Sequence, residues 1–539
     1  MMHDVLTQAI AAGLQRKSVK LCSQWATKYR MMGKPVPGNW AFDHHPWLRE
    51  MHDCNAEELV GQKSAQMGYT ETALNRTFYA IDIRGESVLY ILPTDSDASD
   101  FSASRFDPAL EMSPHLQAMF SNVKNVGHKR AGSANLFVRG SRSRSKLKSL
   151  PVGHIVFDEL EEMVQDNIPL ALERMSGQDN RSVDYISTPS IAGYGINTRF
   201  EYSDQRHYYF KCPHCGKQIE LGLENLVVTA ETLDDPRIRD SYLQCTYCKG
   251  VIPHKQKREI FKTASWVPSY TNRLAHGYYI NQLYSTLLPP YSIAETVLKA
   301  RFDPAAEQEL YNSKMGLPHA VKGSQLTDED IKNAMAHYQK PNKGSPNQYT
   351  TIGIDVGKFL HVVIMRFEYN GAKSGDVNTR MSARLMQEMT VNQFEEIDEL
   401  LYRYNVRSGI IDANPERRKA LELCQRFPGL MRMCFYGNGV TGRNLNIHSA
   451  DQHAVTVDRT SWLDATMLRY KAQRISLPVD TSLEFKEHMK APVRIYKKDS
   501  DGNPVGAYVN SKPDHFAHAS NYAEIALAVS ANFGNNEDI

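Results

Sequence analysis

The chain lacks several features that would each fix its class. No apolar run reaches the 18 or so residues needed to cross a bilayer, and the first residues lack the charged-then-apolar-then-small order of a secretory leader. A protein soluble in the cytoplasm, with no membrane partner, is expected. Net charge is close to zero, +2 over 539 residues, so no global field announces a polyanion partner. We find no internal repeat and no low-complexity tract. The length is that of about three or four ordinary domains, or fewer large ones.

Cysteine is scarce, eight in all, but its placement is informative. Four stand as Cys212-Pro-His-Cys215 and Cys245-Thr-Tyr-Cys248, with 29 residues between the pairs. Cys22, Cys54, Cys424 and Cys434 are scattered and read as inert. Two C-x-x-C knuckles in a long chain without a leader supply four thiolates for tetrahedral Zn2+ rather than two disulfides. With four thiolates the site has no open position, so the zinc is expected to be structural. His214 reads as a loop residue.

One absence is unusual. Val60-Gly-Gln-Lys-Ser-Ala-Gln-Met-Gly-Tyr-Thr70 has the outline of a phosphate-binding loop but lacks its lysine. Gly68 and Thr70 stand where the G-x-x-x-x-G-K-[ST] pattern needs them. Tyr69 occupies the lysine position, and Lys63 occupies that of the first glycine. A short strand at Glu58–Gly61 before the loop and a helix over Thr70–Ala80 after it give the required strand–loop–helix context. In this reading the N–H groups of residues 64–69, Ser64 included, cradle phosphate. Thr70 offers a hydroxyl to Mg2+, and Lys63 folds its ammonium back over the phosphates. The alternative is a surface Lys63, with the cation donated by another chain.

Short apolar runs at Ser87–Thr94, His154–Glu159 and Tyr185–Pro189 alternate with helical stretches. That pattern predicts a buried parallel sheet with helices on both faces. Asp158-Glu159 ends one such strand. Paired acids there suit a Walker B arrangement, the first acid holding Mg2+ and the second polarising water. A basic run, Arg139, Arg142, Arg144, Lys146 and Lys148, precedes that strand. Residues 1–32 read as an amphipathic helix, and helices are expected again from Ala275 to Leu317.

After a polar Gly323–Gln348 stretch a second alternation begins. Asp355 lies on the first apolar strand, Asp412 ends a later one, and Asp514 opens a final helix that runs to about Ala531. This order is RNase H-like. Three converging carboxylates repel one another unless cations lie between them, and two Mg2+ or Mn2+ would activate water against a phosphodiester. His515 and His518 read as structural histidines that could also assist the site. Arg417, Arg418 and Lys419 form a patch suited to DNA phosphates.

Taken together, these residues resemble the large terminase subunit of tailed bacteriophages, in the lambda-type branch with a displaced Walker A lysine in a K-S-A-x-x-G-Y-[ST] loop. Lys63-Ser-Ala-Gln-Met-Gly-Tyr-Thr70 fits that loop. Leu92-Pro-Thr-Asp95, Asp158-Glu159, Ser187-Thr-Pro189, Cys212-Pro-His-Cys215 and the three acids follow in the family's order. The resemblance implies an α/β fold. An ATPase domain at 1–325 would carry a zinc-ribbon insertion at 206–267, and a linker at 326–347 would lead to an RNase H-like nuclease domain at 348–539. It implies ATP, Mg2+ or Mn2+, and Zn2+ as cofactors. Ser187-Thr188-Pro189 would sense the γ-phosphate, bringing Thr188 to the nucleotide. The Trp40–Trp47 segment would pack on adenine, or else serve as a hydrophobic staple. Arg142 or Arg144 would act in trans on a neighbour's ATP, and Asp458 would support the nuclease acids.

The function implied is packaging of double-stranded DNA into a procapsid, with cutting of concatemers, in the host cytoplasm. The partners implied are a small terminase subunit, the portal protein and further copies in a pentameric ring. A cellular helicase-nuclease and a nucleic-acid scaffold with an inactive loop are the alternatives.

Overall fold

The computed structural model describes residues 19–34, 36–120, 123–148, 150–437, 439–448, 453–499 and 503–533. The chain divides into two compact units, one ending at Ala320 and the other starting at Val321.

The first unit is built on an eleven-stranded sheet. Its strands include β1 (Glu58–Lys63), β2 (Val88–Leu92), β3 (Ala134–Gly140), β4 (His154–Asp158), β5 (Ser182–Ser187), β6 (Arg206–Lys211) and β7 (His276–Ile280). Their order is β6-β7-β1-β5-β4-β2-β3, and every neighbouring pair among them is parallel. All five residues of β2 and of β4 are buried, as expected for strands covered on both faces. Val60, Leu89, Ile91, Ile155, Phe157 and Tyr185 form one apolar layer. Leu59, Tyr90, Val156 and Ile186 belong to the opposite one, the period-two alternation of a strand.

Several expectations are revised. Of the helix expected over residues 1–32, residues 1–18 lie outside the described residues; the described part is a helix at Cys22–Tyr29. Within the helical expectation for 275–317, His276–Ile280 is instead β7, paired directly with the loop strand β1. A five-residue run rich in tyrosine and isoleucine carries too few periods to be told from helix by pattern alone. Strands at both ends of the 206–267 segment belong to the main sheet: Arg206–Lys211 pairs with Ser265–Pro268 as well as with β7. A separate three-stranded sheet joins Leu226–Val227, Tyr242–Gln244 and Val251–Ile252.

The stretch expected as a linker at 326–347 is in part folded into the second unit. It contains a helix, Asp328–Ala334, opened by a Thr327–Asp330 capping box. Leu326, Ile331 and Ala334 are buried in that unit's core. Ile331 and Ala334, three residues apart, share one face of the helix, and Leu326 packs just before its cap; the surrounding polar residues obscure this in sequence.

The second unit has an eight-stranded sheet. It includes β8 (Tyr349–Val356), β9 (Leu360–Tyr369), β10 (Met381–Val391), β11 (Ser408–Asp412), β12 (Met431–Tyr436) and β13 (Ala454–Val457). β8 pairs antiparallel with β9 and parallel with β11, so the sheet is mixed. The C-terminal helix His515–Phe533 lies on β8 so closely that a Cβ on Gly353 would come within 2.0 Å of the Ala519 carbonyl oxygen. The hydroxyls of Thr351 and Ser408 donate to the Ala523 and Ala526 carbonyls of that helix, at 2.9 and 2.8 Å.

Candidate active sites

In the first unit, β1 delivers Lys63 to the carboxyl edge of the sheet, and the helix Tyr69–Tyr79 starts six residues later. The loop turns through two left-handed residues, Gln66 at φ +59° and Gly68 at φ +86°. Gly68 is also needed for space, because a Cβ there would meet Leu48 Cδ1 at 2.6 Å. β5 separates β1 from β4 in the sheet, so Ser187 and the Asp158-Glu159 pair end beside the loop. Ligands in open α/β sheets bind at this edge.

There the Lys63 ammonium lies 3.2 Å from Glu159 Oε1. The Ser187 hydroxyl donates to Glu159 Oε2 at 3.4 Å. Glu159 holds a left-handed φ of +62°, a conformation uncommon outside glycine and concentrated at functional sites. Its N–H donates to the Ile186 carbonyl at 2.9 Å, which fixes the turn. Asp158 accepts hydrogen bonds from Tyr90 OH at 2.6 Å and Thr70 Oγ1 at 3.4 Å. Burial, then the neighbouring Glu159 charge, pushes the Asp158 carboxyl up to about 6.

Tyr69 is 1% exposed. Its ring fills the space a Cβ on Gly61 would take, 2.5 Å from that position, and its hydroxyl donates to the Tyr278 carbonyl at 3.4 Å. The position that holds lysine in the usual loop is therefore a core position here, and only the Tyr69 backbone faces the expected role. Two of the N–H groups in the 64–69 stretch expected to cradle phosphate are already engaged. The Ser64 N–H is bound to the Ile280 carbonyl at 3.0 Å and the Ala65 N–H to the Ser313 carbonyl at 2.8 Å. This leaves the N–H groups of residues 66–69. The Ser64 hydroxyl is buried without a hydrogen-bond partner.

The indoles of Trp40 and Trp47 are 8% and 0% exposed. Trp47 Nε1 donates to the Met67 carbonyl at 2.9 Å, so this indole is tied to the loop. Thr188 is half-buried, and it is Ser187 that touches Glu159. Arg142 and Arg144 are exposed, with no ion pair to either among the described residues. Lys146 pairs with Asp95 at 3.0 Å, and Arg139 turns back onto the Gly127 and Val138 carbonyls.

Glu161 has no signal in the sequence beyond following the acid pair. It is 7% exposed and accepts from the N–H groups of Ser190 at 2.8 Å and Ile196 at 3.0 Å, and from the Ser190 hydroxyl. It thus ties the end of β4 to the loop after Pro189. Burial raises its carboxyl to about 7.

The four cysteines converge. All are free thiols, and one sulfur from each lies within 4.8 Å of the others. Cys212 and Cys248 sulfurs are 3.8 Å apart, and those of Cys215 and Cys245 are 4.0 Å apart. His214 turns away, its Nε2 at 2.8 Å from the Val251 carbonyl.

In the second unit, the parallel register of β8 with β11 sets Asp355 beside Asp412, one step beyond the Ile354–Ile411 pair. Burial, with the Asp355 charge adding to it, pushes Asp412 up to about 6. Asp514 accepts from His518 Nε2 at 3.3 Å. Burial acts to raise Asp514, but the His518 hydrogen bond and charge prevail and hold it below the usual carboxylate range. His515 Nδ1 is 2.8 Å from Asp355 Oδ2, and that bond raises the His515 imidazole. The oxygen and nitrogen atoms near enough to share one ion with Asp355 belong to His361 and His515. Asp412 and Asp514 do not complete a single three-carboxylate set with Asp355 among the described residues. Asp458 caps the helix Arg459–Lys471 by accepting from the Ser461 N–H at 2.7 Å. Arg417, Arg418 and Lys419 are exposed on one helix start.

Residues 34–266 match the family model of the phage terminase large subunit gpA, ATPase domain. The chain is 25% identical over 236 residues to the terminase large subunit of Enterobacteria phage P21, covering 39% of this chain and 36% of that one. It is 23% identical over 401 residues to that of Escherichia phage lambda, covering 65% of this chain and 61% of that one. The chain thus spans less than two thirds of the length of either relative. The crystal structure of the HK97 bacteriophage large terminase shares the fold, with a TM-score of 0.50 at 9% identity, covering 94% of this chain and 98% of that one. Over residues 34–266 the chain is thus similar to the ATPase domain of phage terminase large subunits, and over nearly its whole length it shares the fold of a large terminase.

Proposed function

We propose that the chain is the motor and nuclease subunit of a DNA-packaging machine. The first unit would hydrolyse ATP to translocate double-stranded DNA into a procapsid, and the second would cut concatemeric DNA. The observation that carries this reading is the convergence of Lys63, Ser187, Asp158 and Glu159 beside the 66–69 turn. Lys63 would neutralise phosphate oxygens, and the N–H groups of residues 66–69 would bind them. Thr70 and Asp158 would hold Mg2+, which supplies charge neutralisation at the phosphoryl group when bound. Glu159, held in its turn and touched by Ser187, would accept the proton of the attacking water. Glu161 would couple that turn to the 190–196 loop. Thr188, adjacent to Ser187, would sense the γ-phosphate.

The cysteine cluster fits zinc: four reduced sulfurs at mutual ligand distance, two of the residues buried, match a closed tetrahedral site. Zinc would clamp the 206–268 insertion. Asp355 and Asp412, adjacent in register, would hold divalent cations of the Mg2+ or Mn2+ type, their adjacency being unfavourable without positive charge between them, and Asp514 would join them only on a shift of the helix start. His515 would orient Asp355. Arg142 or Arg144, both exposed, would serve a neighbouring copy's ATP in a pentameric ring. The small subunit and the portal would be its other partners in the host cytoplasm.

Two variants of the full chain test the division of labour. Glu159→Gln should abolish ATP turnover and keep DNA nicking, and Asp355→Asn should do the reverse. An Asp355→Asn protein that nicks normally would refute the nuclease assignment.

A further inference from the structure

A second group of ligating side chains lies beside the acids of the second unit and takes no part in the proposed cutting reaction. β9 places His361 opposite Asp355. The helix Leu483–Lys490 carries Glu484 and His488, four residues apart and so on one face. One ligand atom from each of His361, Glu484 and His488 lies within 4.8 Å of the other two. The two imidazoles are 6% and 8% exposed, and Nδ1 of each is buried with no hydrogen-bond partner. Buried polar atoms in folded proteins are rarely left so. Glu484 is exposed at the rim of the group, which gives an ion a path from solvent.

We propose that His361, Glu484 and His488 form a cation site for a borderline first-row divalent ion of the zinc class. Two imidazoles and one carboxylate suit such an ion better than Mg2+, which favours an all-oxygen shell. Three protein ligands leave a further position to water. A packing role accounts for part of the arrangement, since both imidazole rings touch Phe516, at 5.0 and 5.4 Å between centroids. Packing does not account for two buried imidazoles, each with an unpartnered Nδ1, gathered with a carboxylate at mutual ligand distance. His515 stacks on His361 at 4.3 Å and bonds Asp355, so an ion here would stiffen the layer that positions Asp355. The site is independent of whether Asp355 and Asp412 cut DNA.

The test is a metal count on the full chain dialysed against zinc chloride, with Glu484→Gln, His488→Asn and Glu487→Gln beside the unaltered protein. The cysteine cluster and the acids contribute equally to all four, and Glu487 is a carboxylate of the same helix outside the group. Glu484→Gln and His488→Asn should each hold one zinc fewer per chain, and Glu487→Gln should hold the full number. Circular dichroism checks the fold. If His488→Asn does not fold, Glu484→Gln decides, because its side chain is on the surface. An undiminished count in Glu484→Gln overturns the site. So does an equal loss in Glu487→Gln, which would make the binding a general property of the helix surface. A wild-type chain that fails to nick DNA bears only on the nuclease reading.

Discussion

The Lys63 ammonium and the Glu159 carboxylate, 96 positions apart in the chain, lie within 3.2 Å of each other. Only β5 intervenes between the strands that carry them, and its terminal Ser187 donates to the same carboxylate. Lys63, Glu159 and Ser187 are thus set on one hydrogen-bonded array. The proposed roles, phosphate cation for Lys63 and base for Glu159, would need this adjacency, and Tyr69 occupies the core where the usual loop has its lysine.

That relationship predicts what restoring the usual pattern would do. Gly61→Ala puts a methyl 2.5 Å from the Tyr69 ring and 2.8 Å from Ile186. Overpacking of this kind costs about 1–3 kcal/mol, read as a lower denaturant midpoint. Tyr69→Lys buries an ammonium where a phenol packs. It should cost more stability than Gly61→Ala and should not rescue ATP turnover in a Lys63→Ala background.

The cysteine cluster predicts a local response to chelation. Removing metal from a four-thiolate site withdraws a contribution on the order of 10 kcal/mol in zinc-finger peptides. Chelator should increase proteolysis and amide exchange within 212–252, while β2 and β4, buried along their whole length, keep their protection. Uniform protection with and without chelator would show that the cluster holds no structural ion.

Much of the first site is legible in the sequence, because its chemistry is carried by local strings: the 63–70 loop, the acid pair and the two C-x-x-C knuckles. The rest depends on strand order and register. Nothing in Ser187-Thr188-Pro189 says which residue meets Glu159; the parallel pairing of β4 with β5 decides it. β7 carries no distinctive motif, and it becomes important only by lying beside β1. In the second unit, His361 comes to the site because it is the register partner of Asp355, which no spacing rule reveals. The burial of Trp47 under Met67 likewise follows from packing, where the sequence left base stacking and a staple equally open.

Glu161 predicts a pH dependence. Its folded carboxyl sits at about 7, above the ordinary 4.5, so the folded chain binds more protons between those values. Its contribution is fully present below pH 4.5 and is lost as pH rises through 7; at about 1.4 kcal/mol per pKa unit the whole effect is roughly 3 kcal/mol. Denaturant midpoints of the unaltered chain should fall from pH 5.5 to 7.5 more steeply than those of Glu161→Gln. Equal slopes would mean that Glu161 titrates normally.

The buried pair of Arg76 and Asp184 has the opposite sign. Arg76 Nε and one terminal nitrogen reach the Asp184 oxygens at 2.7 and 3.0 Å, and the other terminal nitrogen caps the Met51, His52 and Cys54 carbonyls. Burial acts to raise Asp184, but Arg76 prevails and lowers it. This stabilisation is present above the ordinary carboxylate range and is lost as pH falls through the lowered value. Asp184→Ala leaves a buried guanidinium unpaired and should cost about 3–5 kcal/mol in chemical unfolding.

The most direct test of the central claim is the steady-state rate of Mg-ATP hydrolysis by the full chain with Lys63→Ala. If Lys63 is the displaced phosphate lysine, turnover should fall about 100- to 1,000-fold, as when a charge-stabilising donor is removed from an active site, with the melting temperature little changed. Turnover equal to that of the unaltered chain would show that another cation serves the phosphates and would contradict the account.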